Sequence, residues 1–352
     1  MDLIEILERL VTPVAPPGRE DEARQAVLDL AGPKAHRVVV DPLGSLQLWL
    51  NPEARPRVML DAHLDEVGFI VQRVEENGCL RVASLGGLDQ RLMPGSRVIL
   101  QPRPGVHVPG LVGLTPPHVE KPGESDKSLP WERIHVDTGL MDAASARAAG
   151  IEVGTPGVID SCHGRLGAKG FYARNLDDRV GCALLVDLFL RLAQDPPACA
   201  LCCNFSVAEE VGLRGAAAAA FAVAPDLALC VEATVGDTPG VDPARCPAIL
   251  GKGPAITVAD GRIVVPWRLV ESLEQAGRRA GVAWQRKLPP YGGTDAGAIH
   301  TSRAGVPTAV VSLPTRYIHS PVSLLHLDDL AATAALVAAW LELAPGLAGG
   351  AA

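Results

Sequence analysis

Four short clusters in this chain carry residue types that bind divalent metal ions: His63-Leu64-Asp65, Asp177-Asp178, Glu209-Glu210 with Glu232 downstream, and His319. A donor set of oxygens and imidazoles suits a site for two divalent ions, which needs one carboxylate bridging them and about two further ligands on each. By residue type, Asp177 is a short carboxylate able to bridge, His63 and His319 offer one terminal imidazole on either side, and Glu210 and Glu232 complete the two sets. Glu209 is then left beside the ions without a ligand role. A free carboxylate there can take a proton from metal-bound water and pass it to a leaving amine, which is the work of a general base. Asp65, two residues from His63, is placed to orient that imidazole. The chemistry implied is metal-assisted hydrolysis.

Each residue also has an ordinary structural reading. Asp177 could be a helix N-cap, the Glu209-Glu210 pair a solvated helix start, and His63 a hydrogen-bonded core histidine. Taken together they resist those readings, because six acids and two histidines at one sheet edge repel and desolvate one another unless cations neutralise them.

The surrounding sequence supplies such an edge. In open α/β sheets, sites form beyond the carboxyl ends of strands. The apolar run Val58-Met59-Leu60 leads to His63, a run over 199–207 leads to Glu209, Leu229-Cys230-Val231 leads to Glu232, and a strand over 308–313 precedes His319. Asp177-Asp178 opens a helical pattern reaching about residue 193. Two short helices in the first thirty residues and a hairpin turning at Asp41-Pro42-Leu43-Gly44 precede these elements. Strand and helix alternate again after Ser161, which predicts an α/β sheet with helices on both faces. Between them, residues 68–160 read as short strands punctuated by Gly and Pro, hence a small inserted β-rich domain, with a mobile loop over Thr115 to Pro130. The expected division is a catalytic domain from 1–67 and 161–352 and an insertion at 68–160.

Composition narrows the class. A chain of 352 residues with 48% hydrophobic and 20% charged residues has a globular balance. Its net charge of −8 lacks the basic footprint of nucleic-acid or anionic-membrane binding. No secretory signal is visible, and no stretch reads as the roughly 18 to 20 apolar residues needed to span a bilayer, so a cytoplasmic protein is expected. Most of the eight cysteines lie singly in apolar segments and read as small hydrophobes; Cys199-Ala200-Leu201-Cys202 lacks a partner pair at zinc spacing. Gly251-Lys252-Gly253-Pro254 lacks phosphate-loop spacing, and Ser206 and Ser312 lack a nucleophile-elbow context. Asp295 could line a substrate pocket or cap a helix, and His300 reads as packing.

Several stretches occur in one order: Ala62 to Phe69 (AHLDEVGF), Asn175 to Arg179 (NLDDR), Glu209 to Ala216 (EEVGLRGA), Gly236 to Gly240 (GDTPG), Gly251 to Pro254 (GKGP), Gly293 to Ile299 (GTDAGAI) and Pro314 to Pro321 (PTRYIHSP). Over nearly the whole chain they resemble the tetrahedral-aminopeptidase family of dinuclear metallopeptidases, also labelled glutamyl aminopeptidase or cellulase M. The resemblance implies a zinc-peptidase-like sandwich, with a mostly parallel mixed sheet flanked by helices and an inserted β-barrel-like domain. It implies His63, Asp177 and Glu232 on one ion, Asp177, Glu210 and His319 on the other, zinc or cobalt as the metal, Glu209 as general base and Asp65 as the orienting acid. Relatives often carry Asp where this chain has the longer Glu232. Substrates would be short peptides with a free N-terminus, and the insertion would mediate homo-oligomers, from dimers up to a hollow dodecamer. Competing readings are a same-fold amidohydrolase (a deacylase or carboxypeptidase) and a catalytically silent scaffold. A free α-amine requirement separates the first, and loss of a ligand would mark the second. Glycan hydrolysis fits poorly, since two carboxylates flanking a sugar bond need no further ligands.

Overall fold

The computed structural model describes residues 1–116, 118, 129–287 and 292–348, so the loop expected over Thr115 to Pro130 lies largely outside the described residues. Helix α1 (Leu3–Val11) begins at Asp2, whose side chain accepts the Glu5 N–H while Glu5 accepts the Asp2 N–H, a reciprocal capping box. Helix α2 (Asp21–Ala31) follows, then the antiparallel hairpin of β1 (Arg37–Val40) and β2 (Leu46–Leu50). Its turn is held by the Asp41 carboxylate, which accepts N–H groups from Leu43, Gly44 and Ser45, with Gly44 at φ +105°. Strand β3 (Arg57–His63) then runs into the interior.

Residues 68–159 build a separate six-stranded sheet: β4 (Gly68–Val74), β5 (Leu80–Leu85), β6 (Arg97–Arg103), β7 (Val106–Leu111), β8 (His135–Val136) and β9 (Pro156–Ile159), with helix α3 (Ala143–Ala148) before the last. Its order is β7-β6-β9-β4-β5-β8, and every pairing is antiparallel. The two outermost strands meet through one antiparallel bridge, Leu111 to Asp137, so the sheet is a partly closed barrel. Phe69, Val71, Leu80, Val98, Leu100 and Val136 form a core of its own.

The chain then returns to the first sheet through β10 (Gly164–Leu166), β11 (Gly170–Ala173), helix α4 (Leu176–Leu192), β12 (Ala200–Ser206), helix α5 (Arg214–Val223) and β13 (Leu227–Val235). It ends with β14 (Ala255–Thr257), α6 (Trp267–Ala280), β15 (Gln285–Lys287), α7 (Ala296–Ile299), β16 (Thr308–Arg316), β17 (Ser323–His326) and α8 (Leu327–Ala348). The sheet is eleven-stranded and mixed, in the order β1-β2-β12-β3-β13-β16-β17-β11-β10, with β14 paired on β16 and β15 on β14. Its centre, β12-β3-β13-β16, is parallel. Those strands are apolar along most of their length because helices cover both faces, and Cys202, Cys203 and Cys230 are buried among them as small hydrophobes.

Two expectations need correction. Glu232 does not follow a strand; it lies inside β13, opposite Ser312 of β16, because pairing with β16 carries the strand three residues beyond it. One helix, α8, is long and apolar enough by length and composition to cross a membrane, contrary to the reading that no stretch reaches that size. Acids at Asp328, Asp329 and Glu342 interrupt its apolar run in the sequence. Its inner side packs into the core, and Trp340 donates a hydrogen bond to the Ser272 hydroxyl of α6 at 2.9 Å.

Candidate metal centre

The candidate ligands converge at the carboxyl ends of the parallel strands. His63 closes β3, and its Nδ1 donates to the Asp65 backbone carbonyl at 3.1 Å, while the Asp65 carboxylate stands 3.5 Å away. Asp65 thus steers the imidazole chiefly through its main chain. Its carboxylate serves the neighbouring loop instead, where the two oxygens accept the backbone N–H groups of Glu209 at 3.0 Å and Glu210 at 3.1 Å. These glutamates follow Ala208, a non-glycine residue at φ +55°. That strained turn is also held by buried Glu20, which accepts the Ala208 N–H at 3.1 Å. Burial and the nearby Asp65 charge push Glu20 up to about 7.

Asp177 lies at the kinked start of α4, with φ/ψ outside the helical range, so it is not the simple N-cap of the ordinary reading. Its Oδ1 is 3.2 Å from His63 Nε2 and its Oδ2 is 3.1 Å from His319 Nε2. One carboxylate thus divides its two oxygens between two imidazoles. Glu210 Oε1 lies 3.2 Å from His319 Nε2, yet it is buried and has no properly aligned hydrogen-bond donor among the described residues. Glu232 Oε2 and Glu209 Oε2 lie 3.8 and 3.9 Å from His63 Nε2. Asp178 turns the other way and accepts the N–H groups of His63 at 3.3 Å and Gly181 at 3.1 Å. Two donor groups have ligand atoms that all lie within 4.8 Å of one another: His63, Asp177 and Glu210, and His63, Asp178 and Glu232. Both contain His63, whose Nε2 stands between Asp177 and Glu232, and they cut across the two sets expected from the sequence.

Behind this layer, Glu66 accepts hydrogen bonds from the Ala15 N–H and the Arg174 guanidinium, and the buried Arg179 donates to the carbonyls of Leu64 and Leu10. The acid after Asp65 and the arginine after Asp178 therefore clamp β3 and α4 together. Asp295 neither lines the cavity nor makes a capping hydrogen bond: it is buried, accepts the Ser206 hydroxyl, and its N–H points to Glu232 Oε1 at 3.4 Å. His300 hydrogen-bonds to the Ala296 carbonyl of its own helical turn.

Two residues of the second sheet's loops pack against the candidate ligands Glu210 and His319, and nothing in the local sequence signals it. A Cβ on Gly87 would sit 2.8 Å from His319 Nδ1, and one on Gly86, at φ +78°, would sit 3.1 Å from the Glu210 Cβ. His319 itself is in the left-handed region at φ +58°. Gly87→Val is therefore expected to displace the His319 ring and weaken metal binding by about 10- to 100-fold, the usual effect of disturbing a ligand's support. Competition with a chromogenic chelator measures this, and an unchanged affinity would show that the close approach is incidental.

Electrostatics agree with a cation site. Burial raises Glu209, Glu210 and Glu232 above the ordinary carboxylate range. Burial would also raise Asp177, but hydrogen bonds from His319 and His63 hold it well below. Burial would lower His319, but Asp177 and Glu210 outweigh it and push it up to about 11. Divalent cations would neutralise the negative charge that these carboxylates concentrate here. The oxygen and imidazole donors, the shared Asp177 and the orphaned Glu210 oxygen all fit divalent metal.

A family model described as M42 glutamyl aminopeptidase matches residues 44–336. The chain belongs to this family. Among relatives, a lysyl aminopeptidase of Pyrococcus furiosus is 31% identical over 91% of this chain and 90% of its own, and a glutamyl aminopeptidase of Lactococcus lactis is 34% identical over 79% and 78%. Among solved structures, the aminopeptidase APDkam598 of the archaeon Desulfurococcus kamchatkensis superposes with a TM-score of 0.92 at 31% identity, covering 99% of this chain and 96% of that one. The TET1 peptidase of Pyrococcus horikoshii, described as assembling into a tetrahedron or a large octahedral shell, does so with 0.86 at 28% identity over 96% and 98%. This M42 protein is an aminopeptidase, a metal-dependent hydrolase of N-terminal peptide bonds.

Proposed function

We propose that the M42 protein holds two divalent ions, zinc or cobalt, with His63, Asp177 and Glu232 on one, Asp177, Glu210 and His319 on the other, and Glu209 as general base. The observation that carries this is the Asp177 carboxylate, with one oxygen toward each of two imidazoles. When bound, the ions act as Lewis acids that acidify a water molecule and polarise the scissile carbonyl. Glu209 lies beside the candidate ligands, with Oε2 3.9 Å from His63 Nε2, and its backbone is fixed by Asp65. Its burial raises its affinity for a proton, which suits a group that takes one from water at Oε2 and returns it to the departing amine.

Substrates are short peptides with a free N-terminus. The cavity at the site has a volume of about 210 Å³, suited to a terminal residue more than to a folded chain. The four acids Asp177, Glu209, Glu210 and Glu232 on its wall favour a cationic α-amine. Subunits assemble as homo-oligomers, to which the second sheet contributes the exposed apolar Leu111, Leu114, Met141 and Val153. A matched panel of peptides with free and acetylated N-termini tests the substrate class. Cleavage confined to the free set is expected; equal cleavage of both would favour a deacylase-like amidohydrolase.

A further inference from the structure

The loop that carries Glu209 is held from outside at three successive backbone N–H groups. Asp65 accepts those of Glu209 and Glu210, and Glu20 accepts that of Ala208. Two bonds to one carboxylate leave a loop free to pivot about it; a third, to a separate acid, removes that freedom. The loop also includes two non-glycine residues in the left-handed region, Ala208 at φ +55° and Leu213 at φ +58°, a conformation that persists where the surroundings hold it.

Glu20 is 5% exposed and stands at the N-cap of α2, yet its side chain makes no capping bond to that helix. An N-cap side chain ordinarily accepts an N–H of its own first turn. Here Oε1 accepts the Gly18 N–H at 2.9 Å and, from 188 positions away in the sequence, the Ala208 N–H at 3.1 Å. The turn that delivers it is preset. Pro17 and Gly18 are its central residues, the Arg19 N–H closes it on the Pro16 carbonyl at 2.9 Å, and Gly18 supplies the positive φ, +83°, that suits the second central position. The chain just before this turn is tied to the other ligand-bearing elements: Ala15 exchanges hydrogen bonds with Glu66, while Arg174 and Asn175 donate to the carbonyls of Pro13 and Val11. Residues 11–20 therefore join the end of β3 and the approach to α4 to the Glu209 loop. Burial and the Asp65 charge work against ionised Glu20, and the Gly18 and Ala208 N–H groups favour it.

We propose that Glu20 is a positioning residue for the hydrolysis: acting through the Ala208 N–H, it sets the reach of the Glu209 carboxylate toward the water that Glu209 deprotonates. An ångström of misplacement at a reacting group costs about 100-fold in rate, so a bond remote from the substrate can control turnover. The inference rests on the reading of Glu209 as general base and extends it to the segment that aims that base.

The test uses the full-length, zinc- or cobalt-loaded enzyme and the best-cleaved peptide of the free N-terminus panel. Glu20→Met keeps length and bulk but accepts no N–H. Its kcat is expected to fall by about 10- to 100-fold with KM and metal content unchanged. Glu20→Gln, whose amide oxygen can still accept both N–H groups, should recover most of the rate, and Glu20→Asp, one methylene short of Ala208, should not. A double-mutant cycle separates aiming from general support: in a Glu209→Gln background, Glu20→Met should slow the residual reaction by less than about twofold, because no base is left to aim. Deuterium uptake by the segment 205–212 needs no turnover and should be faster in Glu20→Met than in the wild type. Wild-type kcat or unchanged uptake in Glu20→Met would overturn the proposal. So would loss of metal, or an equal slowing in both backgrounds, either of which would make Glu20 a general structural tie. If Glu20→Met does not fold, Glu20→Gln and Glu20→Asp decide, and equal rates in those two would overturn it. Failure of the underlying base assignment looks different: Glu209→Gln alone would turn over undiminished, which overturns both.

Discussion

Glu209→Gln is expected to keep its full metal content and lose activity by about 100- to 10,000-fold, the range attributed to a positioned proton-transfer group. The amide preserves size and the backbone N–H that Asp65 accepts at 3.0 Å, so the loop carrying Glu210 should stay in place. What the amide cannot do is accept a proton from water. Elemental analysis of the variant separates the two roles a carboxylate can have here. Loss of metal would make Glu209 a ligand, and undiminished turnover would remove it from proton transfer. The substitution also tests the ranking among neighbours, because Glu210→Gln, at the residue 3.2 Å from His319, is expected to lower metal content where Glu209→Gln does not.

The parts of this site that are legible in the sequence share a physical cause. His63 and Glu209-Glu210 follow strands that are apolar along most of their length, and a buried parallel strand has to end where its chain meets polar chemistry. Asp177 and Asp178 stand out because they sit where a helix starts. What escapes reading depends on partners remote in sequence. Glu232 reads as lying beyond a strand because its own neighbourhood gives no sign that β16 extends the ladder through it. The strands β14, β15 and β17 have only three or four residues each, too few for a period to show. Gly86 and Gly87 read as turn residues of the insertion, and their packing on Glu210 and His319 exists only once two sheets meet. Asp65 is legible as a neighbour of His63 but only partly in its role, since its carboxylate holds the Glu209 loop while its carbonyl holds the imidazole.

Asp177→Asn is expected to abolish metal-dependent stabilisation as well as activity. A ligand that binds only the native state raises its stability by about 2.7 kcal/mol at a hundredfold excess over its dissociation constant, and two ions add their contributions. The wild-type melting temperature should therefore rise on adding zinc or cobalt and fall with a chelator. In the variant, one oxygen remains as an acceptor while an NH₂ group faces the other imidazole, so the side chain cannot serve two cations. Among the described residues, neither imidazole has another carboxylate oxygen as near as those of Asp177. Its melting curve should then be indifferent to metal and chelator alike, with turnover at background. Glu232→Gln, at the edge of one set, is expected to retain a reduced shift from the ion held by Asp177, Glu210 and His319. A full shift in Asp177→Asn would mean that the ions do not share this residue. Asp178, whose carboxylate also lies near His63 and Glu232, would then be the ligand to replace next. The thermal shift and the activity should fail together in Asp177→Asn and separately in Glu209→Gln, and that difference is what distinguishes the residue that holds the metals from the one that moves the proton.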